Sequence, residues 1–110
     1  MAKFTPFDLF PFIEVASLDQ VPPGKGSFFT AVGKNVALFN VDGTIHAIAD
    51  TCPHAGGSLG NGRLDGTTVT CPWHGMKFDV TNGCFAGRSE SGVATYRVKV
   101  ENEKIMVALS

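Results

Sequence analysis

Apolar and β-branched residues in this chain come in short runs separated by turn residues, the pattern of strands rather than helices. Residues 12–15, 28–32 and 36–41 read as strands. The last of these runs into Asp42-Gly43 and leaves as 44–49, a strong hairpin signal because two-residue turns favour residues that tolerate positive φ. Residues 67–70 and 76–80 form two more strands, the second ending at an Asn82-Gly83 turn. Segment 94–100 alternates Tyr96, Val98 and Val100 with Thr95, Arg97 and Lys99, and a turn at 101–103 returns the chain as 104–109. Segment 17–21 has room for one helical turn, and residues 1–11 form an N-terminal extension, either loose or laid along the body. The pattern predicts a small all-β antiparallel domain, sandwich-like or barrel-like.

Bulk properties narrow the function classes. A chain of 110 residues, 44% hydrophobic, forms one domain spanning 1–110 with enough apolar residues for a core. Its formal charge of −1 leaves no basic footprint for nucleic acid. No apolar stretch approaches bilayer-spanning length, so no membrane partner is expected. Phenylalanines crowd the first dozen residues, but Pro6, Asp8 and Pro11 interrupt them, unlike the core of a signal peptide. Cytoplasmic localisation and a monomeric state are expected.

The chemistry sits in two short boxes. Cys52 and His54 lie in TCPHAGG, and Cys71 and His74 lie in TCPWHG, with residues 55–70 between the pairs. Each box supplies one thiol and one imidazole between predicted strands, so a rigid sheet could hold both boxes at one end of the scaffold. Pro53 and Pro72 stiffen the boxes, and Gly56, Gly57 and Gly75 permit close backbone approach. Two cysteines and two histidines suit a structural zinc ion or a binuclear iron–sulfur centre. Zinc fingers pair like with like, Cys-x2-4-Cys followed by His-x3-5-His. Here the order alternates instead, Cys-x-His then Cys-x2-His, which is not the order of a finger.

The segment from Thr51 to Gly83 resembles the signature of the Rieske iron–sulfur family, Cys-x-His-x16-Cys-x2-His, and the likeness continues through MKFDV and the TNG turn. The resemblance implies a Rieske-like fold with two cluster-binding loops at one end. It also implies one [2Fe-2S] cluster, with Cys52 and Cys71 on one iron and the exposed pair His54 and His74 on the other. Neutral imidazoles make such a cluster less negative than an all-cysteine one, with potentials of roughly −150 to +300 mV across the family. Rieske proteins of respiratory complexes add a disulfide and two hydroxyl groups near the cluster. This chain has Gly57 and Trp73 at the cysteine positions and Met76 and Phe78 at the hydroxyl positions, which implies the lower half of the span.

Low potential and short length resemble the ferredoxins of bacterial aromatic-ring dioxygenase systems, which pass one electron from a flavin-dependent reductase to a terminal oxygenase. On that resemblance the chain is an electron carrier without catalytic residues. Alternatives are the small Rieske-like subunit of an assimilatory nitrite reductase, a ferredoxin of a di-iron monooxygenase, or a zinc-stabilised module. Pro53, Ala55, Gly56, Pro72, Trp73 and Met76 would form a docking collar of low charge, unless Trp73 packs inward to fill the space of the missing disulfide and Met76 joins the core. His46 is expected to be a half-exposed strand residue, Cys84 a small buried hydrophobe, and most of the acidic residues, Asp50 among them, solvated turns and edges.

Overall fold

The computed structural model describes residues 11–52, 56–73, 75–85 and 88–109, with residues 88–91 described as backbone only. The described elements are strands, as the apolar pattern predicts, and two 3-10 turns, of which only the first falls in a segment expected to be helical. A six-stranded antiparallel sheet is built from β1 (Phe12–Ser17), β2 (Gly26–Ala31), β3 (Lys34–Val41), β4 (Thr44–Ala49), β10 (Thr95–Glu101) and β11 (Lys104–Ala108), in the order β1-β11-β10-β4-β3-β2. A five-stranded sheet runs in chain order through β5 (Arg63–Asp65), β6 (Thr68–Thr70), β7 (Lys77–Asp79), β8 (Cys84–Phe85) and β9 (Arg88–Gly92).

Three two-residue hairpins set the register of the larger sheet. Val41 pairs with Thr44 across Asp42-Gly43, where both residues take positive φ (51° and 93°), so the turn twists with the strands it joins. Buried Asn40 completes this hairpin: its Oδ1 accepts the Gly43 N–H at 2.7 Å, and its Nδ2 donates to the Val21 carbonyl at 2.8 Å. The turns at Val32-Gly33 and Asn102-Glu103 have the same handedness. A 3-10 turn at Leu18–Gln20 occupies the predicted helical segment, with the Gln20 side chain accepting the Ser17 N–H at 2.8 Å.

Both faces of β3 are covered, which is why Val36 to Asn40 are buried without interruption. Val36 and Leu38 point into one cluster with Val21, Ile45, Ala47, Ile105 and Val107. Ala37 and Phe39 point into a second with Ile48, Leu59, Val69, Phe78, Val80 and both box cysteines. The metal boxes are therefore rooted in the core that joins the two sheets. Strands β5, β8 and β9 escape the apolar pattern because the first two are only three and two residues long and β9 is largely polar; backbone pairing to neighbours makes them strands.

Candidate metal centre

Cys52 leaves β4 through Asp50 and Thr51, and backbone bonds close the loop behind it. The Cys52 N–H donates to the Gly57 carbonyl and the Gly56 N–H to the Cys52 carbonyl, each at 2.8 Å. Thr51 bridges Ser58, and the Leu59 N–H donates to the Asp50 carbonyl at 2.8 Å. Cys71 follows β6, and its N–H reaches the Met76 carbonyl at 2.7 Å, closing the second loop just before β7. Each cysteine thus stands at the base of a short loop whose ends are tied together, and strands fix the spacing between the two bases.

Both thiols are buried, each at 1% exposure, and lie within hydrogen-bond reach of one another. Burial pushes the Cys71 thiol above its ordinary value; the Trp73 backbone N–H lowers it, while Cys52 and the charge of Asp50 raise it further. Adjacent buried thiols in a dry pocket are a donor pair suited to a soft metal, which takes them as thiolates. His54 and His74, and with them Pro53 and Ala55, lie outside the described residues.

Two glycines make room for this arrangement. A Cβ at Gly57 would lie 3.0 Å from Trp73 Cγ and 3.1 Å from Cys71 Sγ, so the indole and the sulfur already fill that space. A Cβ at Gly60 would stand 2.6 Å from the backbone nitrogen of Phe28, so the 3-10 turn Leu59–Asn61 rests directly on β2. Gly56 and Gly75, expected to serve close approach, have open space instead, and their left-handed φ values (77° and 72°) turn the loops.

The two readings of Trp73 prove compatible. One part of the ring lies on Gly57, in the volume expected to replace a disulfide, while the residue as a whole is 57% exposed. Met76 packs against the inter-sheet core, and Phe78 lies fully within it, so neither position presents an O–H group. His46 is half-buried on β4, as expected. Cys84 is half-buried rather than enclosed, because it sits at a turn where Asn82 Oδ1 accepts its N–H. The reading of Asp50 as a solvated acid is corrected: it is 4% exposed and accepts from Ser58 Oγ at 2.9 Å and the Gly60 N–H at 2.7 Å. Its partners Ser58 and Gly60, which are not ligand positions of the motif, carried no signal of this role.

Comparison with known proteins agrees with this geometry. The Rieske [2Fe-2S] domain family matches residues 12–97. The ferredoxin component of a naphthalene 1,2-dioxygenase system from Pseudomonas aeruginosa is 33% identical over 99 residues, covering 89% of this chain and 95% of that protein. The ferredoxin of carbazole 1,9a-dioxygenase from Nocardioides aromaticivorans IC177 superposes with a TM-score of 0.82 at 30% identity, over 90% of this chain and 98% of its own. A chain from a complex of reduced oxygenase and oxidised ferredoxin of carbazole 1,9a-dioxygenase superposes with a TM-score of 0.79 at 30% identity, over 88% of this chain and 92% of its own. Joined to the paired buried thiols and the two closed loops, these matches establish that the chain belongs to the Rieske [2Fe-2S] domain family.

Proposed function

We propose that the chain is a one-electron carrier of an aromatic-ring-hydroxylating dioxygenase system, taking electrons from a flavin-dependent reductase and delivering them to a terminal oxygenase. The observation that carries this reading is the pair of buried thiols of Cys52 and Cys71, side by side at the joint of two sheets. They would hold one iron, and His54 and His74 from the same loops would hold the other. A Rieske cluster in that position supplies one reversible redox equivalent at a potential set by its ligands and surroundings. The protein's own part is to keep the thiols dry and the loops rigid, so that little rearranges when charge arrives. No catalytic residue is assigned, and a single domain acting as a cytoplasmic monomer suffices for this work.

Docking is assigned to the loop end, where Trp73 is exposed beside exposed Pro72, Gly75 and Gly56. An apolar ring at the centre of a small, charge-poor surface suits transient association, in which low affinity permits fast turnover. The carrier reading is preferred to a nitrite reductase subunit because all four ligand positions are filled and the dioxygenase ferredoxin relative is 33% identical over 99 residues.

Metal and acid-labile sulfide analysis of the purified protein tests the cofactor. Equal iron and sulfide with a rhombic EPR signal on reduction is expected; colourless zinc protein would end the reading. Reconstituted turnover with an aromatic dioxygenase and its reductase tests the role. In the loaded protein, His54→Cys should lower the midpoint potential, because a thiolate returns negative charge to the ligand set.

A further inference from the structure

Among the described residues Asp50 is the one buried ionisable side chain outside the cysteines. Its Oδ1 accepts both the Ser58 hydroxyl and the Gly60 N–H, while its backbone carbonyl accepts the Leu59 N–H. One residue thereby ties the far end of the Cys52 loop to the end of β4. The clamped turn has little freedom on its other side, where Gly60 rests on the backbone of Phe28. No ion-pair partner lies beside the carboxylate among the described residues. Burying a charge without a counter-ion is costly, and a neutral asparagine could accept the same two hydrogen bonds. Loop geometry alone does not call for an acid at this position.

We infer that Asp50, besides positioning the Cys52 loop, holds down the reduction potential of the metal centre through its buried negative charge, two residues from Cys52. The inference rests on Cys52 and Cys71 being ligands, as proposed above. Accepting one electron from a reductase makes the centre one unit more negative without making or breaking a bond. A fixed like charge in a dry, weakly screened site opposes that change and favours the oxidised form.

The test compares two variants of the cluster-loaded protein by redox titration. Asp50→Asn keeps the shape and the acceptor for Ser58 and Gly60 but removes the charge; its midpoint should rise, with the EPR signal retained. Ser58→Ala keeps the charge and removes one hydrogen bond; its midpoint should not rise. In the apoprotein, Asp50→Ala should abolish the hydrogen-exchange protection of the Gly60 amide, a readout that needs no cluster. An unchanged or lower midpoint in loaded Asp50→Asn overturns the electrostatic role. Full Gly60 protection in Asp50→Ala overturns the clamp. Asp50→Ser serves if the asparagine variant does not load; failure of both to load while Ser58→Ala loads shows a need in assembly instead and overturns control of the potential. Wild-type protein without iron and sulfide refutes the parent reading, which a null result in Asp50→Asn alone does not touch.

Discussion

Gly57 and Cys71 show how tightly single positions constrain the centre. Replacing Gly57 by alanine places a methyl group where Trp73 Cγ and Cys71 Sγ already lie at 3.0 and 3.1 Å, so ring or sulfur must move. Overpacking of this kind costs about 1–3 kcal/mol. The alanine variant should melt at lower temperature and lose iron faster, with absorbance at the cluster bands as the readout. Cys71 provides a pH test in the apoprotein. Its thiol is held above the ordinary value of 9.0, so between that value and the raised one the folded chain keeps a proton that the unfolded chain releases. The resulting penalty grows as pH rises toward the raised value, is constant beyond it, and is absent below pH 9.0. Melting temperature of the apoprotein should therefore fall above that pH, and Cys71→Ala should remove that part of the fall.

Strand elements divide into those announced by side chains and those made by pairing. The 36–41 run and the Asp42-Gly43 turn are visible in sequence because burial selects apolar residues and positive φ selects Asp and Gly. The Val32-Gly33 turn is not, since valine is a poor choice at φ 50°, and the sequence pattern extends the strand through it. That β-branched residue is also 71% exposed, so it carries conformational strain without burial in return. Val32→Asn should stabilise the protein by about 1 kcal/mol, since a left-handed conformation costs most residues that much and asparagine least. Chemical denaturation with an unchanged slope would register it. Strands β5, β8 and β9 could not be read from composition, because β5 and β8 are too short to show a period and β9 is largely polar, so only pairing to neighbouring strands makes them strands.

The whole molecule places a dry thiol pair under a loop end that carries an exposed tryptophan. That arrangement keeps water from the cysteines while leaving the tryptophan at the loop end open to solvent. Met76 and Phe78 bring a thioether and a phenyl ring to positions where hydroxyl donors would stabilise added negative charge, and Asp50 brings a charge that opposes it. All three push in one direction, so the midpoint of the loaded protein should lie in the lower half of the roughly −150 to +300 mV range of Rieske centres. Protein-film voltammetry gives the value directly, and a midpoint well above zero would contradict the combined argument. Truncating Trp73 to alanine should raise the carrier concentration needed for half-maximal oxygenase turnover while leaving the midpoint close to that of the native protein.

The family and its cofactor were legible in the alternation of cysteine and histidine, because metal coordination demands particular donor atoms at particular spacings and few other residues can meet it. The all-β class was legible for a similar reason, since strand burial imposes a period on the chain. Tertiary structure alone decided what surrounds the ligands. That Asp50 is buried, that Trp73 covers Gly57 yet faces outward, and that Gly60 lies on Phe28 all depend on contacts between segments far apart in sequence. An aspartate before a loop reads as a solvated turn by composition; only the fold of 58–60 back onto it turns it into a buried charge. Ligand identity is a local property of atoms, whereas the potential of the centre depends on which charges and donors the folded chain brings near it.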